Sequence, residues 1–178
     1  MNHTRSAAIV FAAMASLLLA GCSSGPAPAK TTGGAASPGT STANAEASTI
    51  DAAGAFKTIA AGVEPAKLSG TVTADNDPNH LLGRPGQYTS KITFTDSRIK
   101  ASDTGGFKPG DVELGGAVET FTSSADAGAR AKYIQAVTKS IPALTEYDYV
   151  HGALVVRVSR FLTPAQASTY KAAADKLP

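Results

Sequence analysis

Tyr88-Thr89-Ser90-Lys91-Ile92-Thr93-Phe94-Thr95-Asp96 alternates its side chains with the period of two that a β-strand imposes. Tyr88, Ser90, Ile92 and Phe94 share one face, and Thr89, Lys91, Thr93 and Thr95 share the other. The first face suits a core; the second is expected to be wet or lightly covered. A half-apolar sheet needs a second layer, and the flanking segments supply one.

Upstream, Asp51 can cap a helix whose apolar face is Phe56, Ile59, Ala60 and Val63, with Pro65 ending it. Residues 68–74 alternate as a strand, and 75–87 are dense in Asp, Asn, Pro and Gly, hence loop. Downstream, 101–110 read as loop and 112–121 as strand, with Gly115-Gly116 marking a bulge or break. Ser123 or Ser124 then caps a helix with Ala129, Tyr133 and Val137 in one row, Ile134 and Ile141 alongside, and Arg130, Lys132 and Lys139 outside that row. Pro142 stops it. Residues 145–150 and 153–159 form a hairpin turning at His151-Gly152. The second arm is apolar on both faces, which places it centrally in the sheet. Thr163, Pro164 and Gln166 open a last helix with a capping box, and its stripe is Ala167, Tyr170, Ala174 and Leu177. The order α-β-β-β-α-β-β-α over residues 50–178 predicts one α+β domain: a mostly antiparallel sheet with helices on one face.

The segment before this domain is of a different kind. Arg5 precedes an apolar run over 7–20. At roughly 14 residues the run is shorter than the about 20 needed to span a bilayer, and it fits a secretory signal over 1–21. Leu19-Ala20-Gly21-Cys22 resembles the bacterial lipobox, in which the cysteine is lipidated and becomes the first residue after cleavage. A single acyl chain anchors only marginally; a diacylglyceryl group supplies two chains. Residues 23–49 are Ala, Gly, Pro, Ser or Thr except for Lys30, Asn44 and Glu46. Such a composition cannot bury enough apolar surface to fold. It reads as a tether with a reach of roughly 25–30 Å. The expected organisation is signal peptide 1–21, lipidated Cys22 and tether over 22–49, and α+β domain 50–178. The implied location is the outer face of a bacterial cell membrane.

Composition removes several function classes. Without Arg5, 15 of the 16 Lys and Arg face 14 Asp and Glu, and the charges are interspersed. This is no footprint for nucleic acid, which needs clustered basic residues. Cys22 is the only cysteine, so the domain has no disulfide, no thiolate nucleophile and no cysteine metal site. His80 and His151 are the only histidines after residue 21, too few for a zinc centre. There is no Gly-x-Ser-x-Gly elbow, no Ser-x-x-Lys set and no His-Glu-x-x-His. No catalytic residue, metal or cofactor is assigned.

Two strings stand out as candidate sites. Residues 75–80 begin like a calcium loop, but its sixth position is His80 instead of Gly and its twelfth is Gly86 instead of Glu. An Asx-rich turn is the other reading. Within 81–88, Gly83 and Pro85-Gly86 bracket Arg84, which either presents a guanidinium to an anion or makes an internal salt bridge. Asp77, His80, Arg84 and Tyr88 are therefore the candidate binding-loop residues. The second string is a hairpin arm carrying Tyr147, Asp148, Tyr149 and His151: either an Asp148/His151 acid–base pair or a hydrogen-bonded sheet edge.

The lipobox, the tether and the segments 77–91 and 154–164 together resemble small secreted lipoproteins of high-GC actinobacteria. The resemblance implies a location and no activity. The function expected from the sequence is a non-catalytic binding or interaction domain, membrane-anchored by lipid, contacting an envelope protein, the cell wall or a small ligand. The alternatives are an envelope hydrolase using acidic residues or the Asp148/His151 pair, and a structural accessory lipoprotein.

Overall fold

Residues 50–178, which the computed structural model describes, build one five-stranded antiparallel sheet. The signal-like stretch 1–21, Cys22 and the 23–49 segment lie outside the described residues. The strands are β1 (Ala66–Thr71), β2 (Ser90–Asp96), β3 (Gly115–Thr120), β4 (Glu146–His151) and β5 (Leu154–Ser159). Their spatial order is β1-β2-β3-β5-β4. The helices are α1 (Ala52–Gly62), α2 (Ser124–Ser140) and α3 (Pro164–Ala174), so the α+β order is the one the sequence predicts. β5 lies inside the sheet, as its two apolar faces require.

The caps explain where the helices start. Asp51 accepts from Gly54 N at 2.7 Å, Ser123 from Asp126 N at 3.1 Å, and Thr163 and Gln166 form the full capping box. Gly152, at φ 52°, takes the left-handed position of the β4–β5 turn. His151 still pairs with Leu154, so the turn is Gly152-Ala153, one residue later than expected.

Cross-strand register assigns the two faces. Ile92 opposes Val118, which opposes Val156, and with Phe94 and Val158 they form the floor of the main core. Phe56 and Ile59 of α1 and Tyr170 of α3 cover it. The Phe94 ring is stacked between Phe56 and Tyr170, at centroid distances of 5.2 and 5.1 Å. Gly115-Gly116 is not a bulge, because the β2–β3 register runs through it unbroken. A Cβ at Gly116 would strike the Phe94 ring and the Arg157 carbonyl, and one at Gly115 the backbone of Phe94 and Thr95, so Gly116 makes room for the ring and Gly115 for the neighbouring strand. The irregularity lies in β1 instead, between Leu68 and Gly70.

α1 and α3 thus share one face, but α2 crosses the other, against the one-sided arrangement expected. Its buried residues are Ala127, Arg130, Ala131 and Ile134. The two alanines meet Tyr88, Phe121 and Val155 in a second, smaller core. The Ala129-Tyr133-Val137 row faces outward, with Tyr133 63% exposed. Small side chains let α2 approach the sheet closely, and a charged residue on the buried face disguised it. Tyr88 also departs from the simple alternation. It precedes the first residue of β2 and turns its ring to the α2 side, where it packs on Phe121. The face carrying Lys91 and Thr93 is therefore covered, with both residues buried.

Candidate functional site

The 75–87 loop is organised by Asp77. Its carboxylate accepts from the backbone N–H groups of Asn79, Leu81 and Leu82 at 3.1, 2.8 and 2.9 Å. The Tyr88 hydroxyl donates to it at 2.7 Å. Burial alone would raise the Asp77 pKa, but these four donors outweigh it and hold the acid down at about 2. Burial and the same carboxylate push the Tyr88 phenol up. The carboxylate is thus spent on N–H and O–H donors, which is the Asx-turn reading, not the calcium one. His80, at φ 52°, and Arg84 are both exposed. Arg84 makes no ion pair among the described residues. Of the four loop candidates, the structure brings Asp77 and Tyr88 together and leaves His80 and Arg84 on the surface.

The β4 candidates divide between faces. Tyr147 and Tyr149 pack against the main core, and the Tyr147 hydroxyl donates to Leu162 O at 3.3 Å. His151 Nε2 lies 3.2 Å from Leu177 O, and Nδ1 lies 3.8 Å from Asp175. Asp148 points to the opposite face, across from Arg157. The expected Asp148/His151 pair does not form, because residues three apart on a strand cannot share a face.

The unforeseen feature lies under α2. Glu119 of β3 is fully buried and receives three basic side chains. Lys91 Nζ sits 3.0 Å from Oε1. Arg130 of α2 reaches both oxygens, Nε at 2.9 Å and Nη2 at 3.2 Å. Arg157 Nη1 lies 3.3 Å away, and the rest of its fork grips Glu146 at 2.6 and 2.8 Å. Lys91 and Arg130 also lie over the Tyr88 ring, at 5.0 and 5.7 Å from its centroid. Tyr88 therefore joins the Asp77 loop to this cluster.

Electrostatics follow from this geometry. Burial opposes a charge on Glu119, but Lys91, Arg130 and Arg157 together hold its pKa down at about 2. Burial pulls the Lys91 ammonium down, against the Glu119 carboxylate. Arg157 is raised by Glu146 and Glu119 despite burial. Asp148 behaves oppositely: burial, then the Glu146 carboxyl beside it, push it up to about 8. Both its oxygens are buried without a hydrogen-bond partner. Three basic side chains, Lys91, Arg130 and Arg157, thus share this buried layer with the carboxyl groups of Glu119, Glu146 and Asp148.

Above it lies a pocket of about 380 Å³. Lys91, Arg130, Arg157, Glu146, Asp111 and Glu113 contribute its charged part. Pro78 and Asn79 of the loop and the 110–113 segment form one wall, and Tyr133, Ile134, Val137 and Leu144 the other. Two further concavities adjoin it, one sharing Arg130 and Tyr133 and the other sharing Lys91 and Pro78. A concave space where an apolar helix face meets several converging polar groups is a common form of small-molecule site. The cluster's donors are tied to carboxylates, and it pairs no nucleophile with a base. Comparison with known protein families, characterised proteins and solved structures finds no match.

The sequence reading missed Glu119, Lys91, Arg130, Arg157 and Glu146. Arg157 was the available signal, a charge inside the apolar run Val155-Val156-Arg157-Val158. A strand apolar on both faces tolerates such a charge only with a buried partner.

Proposed function

We propose that this protein is a lipid-anchored, non-catalytic binding protein of the bacterial envelope, and that its ligand site is the pocket beneath α2. The observation that carries the reading is one buried carboxylate gathering three basic side chains at the base of a concave space. Burying that many charges is costly, and a purely apolar layer of the same volume is often as stable or more so. Retaining them at the base of a pocket points to recognition. The lipobox at Cys22 and the Ser/Thr/Ala/Gly/Pro segment after it support anchoring at the outer membrane face. The 75–87 loop contributes to the site through Pro78 and Asn79, not through Arg84.

Native mass spectrometry on the protein extracted from its own membrane tests this reading. A bound small molecule, additional to the anchor, should accompany the wild type and be lost from Val137→Trp, which blocks the pocket wall at a half-exposed position. Wild-type protein with no bound molecule would favour the structural accessory reading. Cys22→Ala tests the anchor separately: it should abolish lipidation and release the chain from membranes' diacylglyceryl attachment without altering the domain's melting temperature.

A further inference from the structure

One wall of the pocket and its floor meet at Tyr88, which is fully buried and does not line the pocket itself. On one side, the Asp77 carboxylate gathers the N–H groups of Asn79, Leu81 and Leu82 and the Tyr88 hydroxyl. It thereby fixes Pro78 and Asn79, which stand in the wall. On the other side, Lys91 and Arg130 of the floor lie over the Tyr88 ring, and Phe121 packs edge-on against it. The loop has room to move. A second concavity of about 360 Å³ opens between loop residues Leu81 and Gln87 and α2 residues Ala129 and Tyr133. His80, at φ 52°, is the one non-glycine residue at positive φ among the described residues. Such a backbone conformation is uncommon and persists only while its surroundings enforce it.

We infer that Tyr88 is a positioning residue that couples the charged floor to the 75–87 loop, so that a ligand engaging Lys91 or Arg130 sets where the Pro78–Asn79 wall stands. The inference rests on the pocket being the ligand site. The path is two contacts long: the floor cations on the ring face, then the ring's hydroxyl on Asp77. Lys91 and Arg130 are only 6 and 8% exposed at the side chain, so neither can move toward a ligand without shifting against Tyr88. A close-packed interior transmits such a displacement instead of absorbing it. The hydroxyl is the one donor to Asp77 from outside the loop, because Asn79, Leu81 and Leu82 all belong to it. Without that bond the loop would keep its own turn and lose its side-chain tie to the sheet. The coupling is reciprocal: a fixed wall holds Lys91 and Arg130 in place as much as they hold the wall.

Hydrogen–deuterium exchange of the full-length protein extracted from its membrane tests the coupling with no ligand added. Lys91→Met keeps the reach of the side chain and removes the cation over the ring. It should speed exchange over 79–82 by about fivefold or more, although the ion-pair partner of Lys91 is Glu119 and not the loop. Arg130→Met, the same change made from α2, should act in the same direction, and Lys91→Arg should restore exchange close to wild type. In a Tyr88→Phe background Lys91→Met should change that exchange by less than about twofold, because the link is already broken. The N–H of Gly54, also held by a carboxylate at 2.7 Å but on α1, is the control and should not change. Native mass spectrometry then reads the role: the share of protein retaining a molecule should fall about fivefold or more in Tyr88→Phe and stay at the wild-type level in Arg84→Ala. Unchanged exchange over 79–82 in both methionine variants, or equal acceleration with and without the Tyr88 hydroxyl, would overturn the inference. So would Gly54 accelerating in step, which marks general loosening. Tyr88→Phe retaining the molecule as well as wild type would refute the positioning role and leave the pocket standing. Wild type retaining no molecule while exchange shows the coupling would refute the pocket reading and not the coupling.

Discussion

Glu119→Gln removes the negative centre of the buried cluster while keeping its shape. Lys91, Arg130 and Arg157 would then face a neutral amide, and of the three only Arg157 would keep an ion-pair partner, Glu146, among the described residues. Removing one partner from a buried ion pair costs roughly 3–5 kcal/mol, because the remaining charges stay desolvated. The pKa gives an independent figure. A carboxyl moved from 4.5 to about 2 carries about 3 kcal/mol of pH-dependent stability. The sign is that of a depressed acid: the contribution is present above pH 4.5 and lost as pH falls toward 2. For a domain of about 130 residues, 3–5 kcal/mol corresponds to a fall of roughly 10–18 °C in melting temperature. Differential scanning calorimetry at pH 7 and at stepwise lower pH reads both quantities. The variant should melt well below wild type at pH 7, and the gap should close as pH approaches 2. A gap under about 3 °C at pH 7, or one independent of pH, would refute the hub role of Glu119.

Other predictions follow from neighbouring residues. Asp148→Asn should raise the melting temperature, because Asp148 is held protonated by burial and by Glu146, near Arg157 and Glu119. A raised acid loses stability as pH climbs from its unfolded value through about 8, so the gain should be near zero at pH 4 and largest at pH 8. Gly116→Ala should be among the most destabilising single substitutions, about 2 kcal/mol or more by overpacking against Phe94 and the Arg157 carbonyl, read by urea unfolding. Tyr88→Phe should cost about 1–3 kcal/mol, leaving Asp77 short of a buried donor. Arg84→Ala should shift the melting temperature by less than about 2 °C and leave ligand binding intact.

The fold was largely legible because its cues were local. Asp51, Ser123 and Thr163 capped helices where capping chemistry predicts, and Leu154 to Ser159 showed its central place through apolar residues on both faces. The faces of α2 were not legible. Ala127, Ala131 and Ile134 compete with Ala129, Tyr133 and Val137 as apolar stripes on one helix, and only the sheet opposite decides between them. The site was hidden for a related reason. Lys91, Glu119, Arg130, Arg157 and Glu146 come from five different elements, and apart from Arg157 each looks like an ordinary surface charge in its own segment. Strand register brings them together, and register is a long-range property. The strings that looked distinctive, around Arg84 and His151, serve turns and a C-terminal contact instead.

A structure of the protein with the ligand it carries out of its own membrane is the most direct test. The account predicts a single molecule in the pocket beneath α2, its polar end within about 3 Å of Lys91 Nζ and the Arg130 guanidinium, its apolar part against Tyr133 and Val137. A ligand bound at the Arg84 turn or the 147–151 arm, with the α2 pocket vacant, would contradict it.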